Sequence, residues 1–206
     1  MKKCLIYSGG EYCRTEVKDF PDLVIACDKG LMYAQADLVR PDIILGDFDS
    51  FDGDQAPETL GAFVYPKEKD DTDTMLAVKY ALENGCREIT ITCALGARLD
   101  HTIANIQAGT YIAEHGGRAV LQGKDDVIHV FSDGSILLPK REGWSLSVFS
   151  LSDRVTGVSI QGTKYSTDNA ELTNGFPIGI SNEWAEDKAE ITVGTGVIMI
   201  IESRIR

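Results

Sequence analysis

The chain has 206 residues, 43% of them hydrophobic, enough for one large or two modest globular domains with a buried core. Its formal net charge of −12 argues against a polyanionic partner, because DNA, RNA and an anionic membrane surface would all be repelled. Five cysteines without a Cys-x-x-Cys pair argue against structural zinc and for a reducing compartment. Only a short apolar run separates Lys2-Lys3 from Ser8-Gly9-Gly10, which does not fit a signal peptide, so a cytoplasmic protein is expected. No segment approaches the length needed to span a bilayer.

In chain order, apolar runs predict strands over Cys4 to Tyr7, Leu23 to Cys27, Ile43 to Leu45, Phe63 to Tyr65, Ile89 to Cys93 and Ala119 to Leu121. Two helices are expected between them. One follows Asp73, with Met75, Val78 and Leu82 at helical spacing; the other follows Asp100, with Ile103, Ile106 and Thr110. After Asp125 the helical pattern stops, and short β-rich runs recur at Val127 to Phe131, Ile136 to Leu138, Leu146 to Phe149, Val155 to Ile160, Ile191 to Val193 and Val197 to Ile201. The expectation is an α/β fold: a Rossmann-like parallel sheet with flanking helices over residues 1–124, then an all-β sandwich over residues 125–206.

The polar residues that follow successive strands carry the chemistry. Pro41-Asp42-Ile43-Ile44-Leu45-Gly46-Asp47-Phe48-Asp49-Ser50 runs a strand into two carboxylates, which would repel each other without an intervening cation or proton. Asp28-Lys29-Gly30, Lys69-Asp70-Asp71-Thr72-Asp73 and Gly96-Ala97-Arg98-Leu99-Asp100-His101 follow other strands, so a parallel sheet would gather all four loops on one edge. Asp47, Asp49, Asp73 and Asp100 could hold Mg²⁺, which binds one or two carboxylates together with phosphate oxygens and water, while Arg98 could neutralise a transferring group. Gly9-Gly10 after the first strand would let backbone N–H groups approach phosphate. There is no G-x-x-x-x-G-K-[ST], no protein-kinase signature set and no G-x-G-x-x-G. An EF-hand reading of Asp47, Asp49 and Glu58 fails because Phe51 and Asp52 stand at the fifth ligand and the turn glycine.

Gly46-Asp47-Phe48-Asp49-Ser50, Asp71-Thr72-Asp73 and Gly96-Ala97-Arg98-Leu99-Asp100-His101 together resemble, in order, the G-D-x-D-S, D-x-T-D and G-G-R-x-D-H loops of the thiamine pyrophosphokinase family. A Ser-Asn element near the family's C-terminus has its likeness in Gly179-Ile180-Ser181-Asn182-Glu183-Trp184. The resemblance implies transfer of the β,γ-pyrophosphoryl unit of ATP to thiamine, giving thiamine diphosphate and AMP. It implies Asp47, Asp49, Asp73 and Asp100 as metal and positioning acids and Arg98 on the transferring phosphates. Gly9, Gly10, Asp28, Gly30, Asp70, Thr72 and His101 would line the ATP side, and Ser181, Asn182 and Trp184 the thiamine side. An indole face can stack on the thiamine cation while Ser and Asn hydrogen-bond its aminopyrimidine edge. A homodimer is also implied. Lys29 and Ala97 depart from the family pattern, each standing where relatives carry glycine. Two enzymatic alternatives share a D-x-D after a strand: a haloacid-dehalogenase-like phosphatase, which Phe51 disfavours, and a glycosyltransferase, which leaves Arg98 to His101 without a role. A nonenzymatic nucleotide or thiamine sensor is the third, and it has no need of a transition-state charge clamp.

Overall fold

The computed structural model describes residues 1–15, 20–46, 63–64 and 71–205. The chain divides into two compact units, Met1–Lys124 and Asp125–Arg206. The first is a parallel sheet with helices. Its strands are β1 (Lys2–Tyr7), β2 (Leu23–Cys27), β3 (Ile43–Gly46), β4 (Phe63–Val64), β5 (Cys86–Thr92) and β6 (Arg118–Gln122), in the spatial order β4-β3-β2-β1-β5-β6. Every pairing among them is parallel. Cys4, Leu5, Ile6 and Tyr7 are all buried, as expected of a strand with both faces covered, and this is why β1 reads as a continuous apolar run rather than an alternating one.

Three helices lie in this unit: α1 (Gly30–Ala36), α2 (Asp73–Glu83) and α3 (Leu99–Glu114). The first was not expected from the sequence. It is short, and Leu31 and Ala34 bury against Leu5, Tyr7, Val24, Ala26 and Ile44. The expected helix faces are met in α2 at Val78 and Leu82 but not at Met75, and the α3 face differs. In α2 the buried set is Thr74, Ala77, Val78, Ala81 and Leu82, leaving Met75 only partly covered. In α3 it is Asn105, Ala108, Gly109, Ile112 and Ala113, while Ile103 is 49% exposed. Small side chains bring α3 close to β6 and α2, so this face is marked by size rather than by hydrophobicity.

Backbone geometry separates the two departures from the family pattern. Lys29 has φ −56°, ψ −24°, a right-handed conformation open to any residue. Ala97 sits at φ +56°, in the left-handed region where a Cβ is strained and glycine is not.

The second unit is all antiparallel. Strands β7 (Asp126–Phe131), β8 (Gly134–Pro139), β9 (Trp144–Ser150), β10 (Arg154–Gln161), β11 (Thr167–Thr173), β12 (Gly179–Asn182), β13 (Lys188–Val193) and β14 (Ile198–Arg204) form two sheets, β12-β9-β14-β7 and β11-β10-β13-β8. Phe131, Leu146, Val148, Ile198 and Ile200 meet Leu138, Val155, Val158, Ile160, Leu172, Ile191 and Val193 in one core. Strands β11 and β12 had not been expected; both are edge strands with polar, largely exposed sequences, Thr-Asp-Asn-Ala-Glu-Leu-Thr and Gly-Ile-Ser-Asn. The buried Glu202 carboxylate is met by His129 Nε2 at 2.9 Å and Arg141 at 3.7 Å, and the guanidinium of Arg141 lies over the Trp144 ring at 3.5 Å. No helix among the described residues is long and apolar enough to cross a membrane.

Two stability changes are expected. Trp184 belongs to the β core and donates its Nε1–H to the Leu138 carbonyl at 3.2 Å, so Trp184→Ala costs about 3–5 kcal/mol, measured by denaturant unfolding. Ala97→Gly relieves the left-handed strain and, after the entropic cost of glycine, stabilises by about 0.5–1 kcal/mol in the same measurement.

Candidate active site

The order β4-β3-β2-β1-β5-β6 runs outward in both directions from the β1/β5 neighbour pair. In an open parallel sheet such a reversal leaves a crevice at the carboxyl ends of the two strands. A cavity of about 380 Å³ lies there, walled by Ser8, Gly9 and Gly10 after β1, by Cys27 to Lys29 after β2, and by Ala94 and Gly96 to Arg98 after β5. Thr72, Asp73 and Thr74 at the start of α2, and His101, Ala104 and Asn105 on α3, complete it.

Close backbone approach makes the wall. Gly10 N–H donates to the Cys93 carbonyl at 2.8 Å, and Glu11 N–H to that of Leu95 at 2.9 Å. A Cβ on Gly10 would overlap the Cys93 carbonyl, so only glycine lets the loop lie this close to the end of β5. At Gly46 a Cβ would collide with the Asp28 carboxylate, so the end of β3 must be glycine for Asp28 to occupy its place. Asp28 itself is held at φ +43°, its N–H donating to Leu45 and its carbonyl accepting from Leu31. The Ser8 and Thr74 hydroxyls share a buried hydrogen bond of 2.9 Å between β1 and α2. Asn105 is 6% exposed and donates to the Ala94 carbonyl at 2.7 Å, fixing α3 to the end of β5.

Two helix N-termini open on the cavity. In α2, Thr72 is the N-cap, its hydroxyl accepting from Met75 N–H at 3.2 Å; Asp73 is therefore a first-turn residue that lines the cavity rather than a cap. In α3 the N-cap is Arg98, which supplies no side-chain cap, and the first-turn His101 N–H donates instead to Asp100 Oδ1 at 2.9 Å. The Arg98 guanidinium instead grips Asp100 through two bonds, Nε to Oδ1 at 3.1 Å and an Nη to Oδ2 at 2.5 Å. Each partner stabilises the other's charge: the carboxylate raises the pKa of Arg98, and the guanidinium lowers that of Asp100.

Gly9, Gly10, Asp28, Thr72, Asp73, Arg98 and His101 thus lie around one cavity. Gly30 is not in its wall; it is the buried first residue of α1, packed under the Tyr7 carbonyl, because the chain turns into a helix immediately after Lys29. Asp100 is turned onto Arg98 and is also absent from the lining. Asp47, Asp49 and Asp70 lie outside the described residues. Ser8, Thr74 and Asn105 were missed by sequence reasoning; an amide on the buried face of α3 was the one available signal.

The Ser-Asn segment needs correction. Asn182 is 6% exposed, and its side chain is fully used within the unit: Oδ1 accepts from Tyr165 and Glu183 N–H, and Nδ2 donates to Thr163 Oγ1 and the Tyr165 carbonyl. Trp184, 7% exposed, is packed in the core, so its face is not presented for stacking on a cation. Ser181 is exposed at φ +56° and donates its N–H to Ser147 Oγ. Nearby, a cavity of about 220 Å³ is lined by Tyr165, Thr167, Glu171, Ile178, Ile180 and Asn182 among others.

Among the described residues no three His, Cys, Asp or Glu side chains gather tightly enough for a metal. The Asp28 and Asp73 carboxylates and the Ser8 and Thr74 hydroxyls in the lining are nevertheless oxygen donors of the kind a hard cation takes, alongside one imidazole, His101, and one thiol, Cys27.

Residues 16–121 match the family model described as thiamin pyrophosphokinase, catalytic domain, and residues 135–198 the one described as thiamin pyrophosphokinase, vitamin B1 binding domain. The thiamine pyrophosphokinase of Bacillus subtilis is 29% identical over 194 residues, covering 92% of this chain and 91% of that protein. The crystal structure of thiamine pyrophosphokinase from Bacillus subtilis matches over the full length of both chains with a TM-score of 0.87 at 27% identity. That from Geobacillus thermodenitrificans matches with a TM-score of 0.78 at 25% identity, covering 98% of this chain and 97% of the other. The chain belongs to the thiamin pyrophosphokinase family.

Proposed function

We propose that the chain transfers the pyrophosphoryl group of ATP to the hydroxyl of thiamine, releasing AMP and thiamine diphosphate. The observation that carries this reading is the cavity at the β1/β5 junction, where a glycine loop, two helix N-termini, Asp28, Asp73 and Arg98 converge. Each is suited to a triphosphate: backbone and helix-terminal N–H groups bind its oxygens, and Arg98 neutralises charge on them. The Rossmann-like character of the first unit, residues 1–124, is supported by its parallel order and central reversal. This unit is the catalytic one.

Asp73, with Asp47, Asp49 and Asp100, would hold Mg²⁺. Bound there, the ion supplies charge neutralisation on the β- and γ-phosphoryl groups. The chain's own contributions are orientation and charge. Gly9 and Gly10 let the loop approach the phosphates, as do the first-turn N–H groups of α2. Arg98 exchanges its Asp100 partner for phosphate oxygens, which in the same movement releases the Asp100 carboxylate. The incoming alcohol attacks the β-phosphorus in line, and AMP departs opposite. Asp70, Thr72 and His101 belong to the ATP side, and Gly30 supports it from beneath as the start of α1. Residues 125–206 bind thiamine, with Ser181 as the exposed member of the Ser-Asn segment and Asn182 shaping the turn at Tyr165. A homodimer is the assembly the family resemblance implies, and five free cysteines are consistent with a cytoplasmic protein.

Incubation with ATP, Mg²⁺ and thiamine, followed by chromatography, is expected to yield AMP and thiamine diphosphate in equal amounts. ADP as the sole nucleotide product contradicts pyrophosphoryl transfer, and intact ATP favours a sensor. Asp73→Asn keeps the side-chain shape and loses the charge, so kcat falls on the order of 100-fold or more while the unfolding midpoint changes little. Near-normal turnover would remove Asp73 from the site.

A further inference from the structure

Five free cysteines are buried in the first unit, and two of them stand apart by position. Cys13 follows the glycine loop that lines the cavity, and Cys93 is the residue immediately after β5, before Ala94 in the cavity wall. Their sulfurs are 3.8 Å apart. Cys13 N–H donates to Cys93 Sγ at 3.4 Å, the Cys93 thiol lies 3.5 Å from the Cys13 carbonyl, and the Thr92 hydroxyl is 3.5 Å from Cys13 Sγ. The two chain segments are already bound to each other through Gly10 to Cys93 and Glu11 to Leu95.

We propose that Cys13 and Cys93 are a peroxide-sensitive thiol pair whose disulfide reversibly disables the adjoining nucleotide cavity. This rests on the functional reading above only for the identity of the nucleotide. The contact between the two thiols, helped by the Thr92 hydroxyl, shifts the pKa of Cys13 down against the effect of burial and that of Cys93 up, so Cys13 is the readier of the two to ionise. Cys13 is also the more accessible of the two, at 8% against 0%. The other cysteine pair on these strands, Cys4 and Cys86, shows the opposite behaviour: burial raises both pKa values, and the pair sits at the far end of β1.

Hydrogen peroxide is the oxidant. The Cys13 thiolate attacks one peroxide oxygen, the O–O bond breaks, and the departing hydroxide takes up a proton as water, leaving a sulfenic acid. The Cys93 sulfur then attacks the Cys13 sulfur; the S–O bond breaks, and the hydroxyl leaves with the Cys93 proton as a second water. Two thiols and one peroxide thus give one disulfide and two waters. Closing the sulfurs from 3.8 Å to about 2.0 Å draws Cys13, at the end of the Gly10 to Cys13 segment, against the left-handed Cys93, φ +52°. Gly10 lies on the Cys93 carbonyl without room for a methyl group, so that movement reaches the cavity wall.

The test treats the reduced full chain with hydrogen peroxide and follows intact mass, peptide mapping and ATP affinity by calorimetry. The expected result is a loss of about 2 Da, a Cys13–Cys93 cross-linked peptide and ATP affinity weakened about tenfold, all reversed by dithiothreitol. Cys13→Ser should bind ATP as the reduced parent does and be indifferent to peroxide, whereas Cys4→Ser should remain sensitive. Absence of that cross-link, or equal ATP affinity in both redox forms, overturns the proposal. A reduced protein that binds ATP yet forms no AMP with thiamine would instead overturn the functional reading alone.

Discussion

The candidate site depends on one close approach: the backbone of the loop after β1 lying directly on the carbonyls at the end of β5. Parallel pairing in the register Cys4↔Ile89 to Tyr7↔Thr92 brings the two strand ends level, and Gly10 continues the contact past the last paired residues. With that seam closed, β2 and β5 diverge to either side of β1, and their following loops become opposite walls of one crevice. A side chain at position 10 would hold the walls apart. The same seam places two thiols together, so the geometry that forms the cavity also exposes it to oxidation.

Electrostatics decides what such a crevice can hold. The chain is strongly acidic, and its site adds carboxylates, yet the proposed ligand is a polyanion. A local reversal of field is required. Helix N-termini and backbone N–H groups provide part of it, and Lys29 and Arg98 are the cationic side chains in the lining. The bidentate Arg98–Asp100 pair is exposed, so solvent screens it and its exchange for phosphate is inexpensive. Under the proposed function a hard cation between the acids and the phosphates would relieve their repulsion, and metal and nucleotide would then be interdependent ligands.

Sequence reading recovered what is written in continuous or alternating apolar runs. The strands around Cys4 to Tyr7 and Leu23 to Cys27 were legible because a doubly covered sheet demands uninterrupted hydrophobicity, and the strand around Ile89 because Ile89 and Ile91 alternate with Thr90 and Thr92. Strands β11 and β12 were not, because an edge strand pairs on one side and its sequence stays polar. The helix faces were misplaced where Ala108, Gly109 and Ala113 pack by smallness, a property that hydrophobic spacing does not rank. Loops bearing Gly9, Asp28, Asp73 and Arg98 were picked out by position after strands, and they surround one cavity. Ser8, Thr74 and Asn105 escaped because a lone hydroxyl or amide has no spacing rule. Asn182 and Trp184 illustrate the converse: a polar and an aromatic residue that resemble ligands in one dimension are consumed by the turn and the core in three.

The most direct test is a crystal structure with Mn²⁺ in place of Mg²⁺ and a non-hydrolysable ATP analogue, read by anomalous scattering. The account predicts an anomalous peak within coordination distance of Asp73, bridging to phosphates that lie against Gly9 and Gly10, with Arg98 released from Asp100. A nucleotide bound away from the β1/β5 seam, or a manganese ion with no carboxylate of this edge in its coordination sphere, would contradict it.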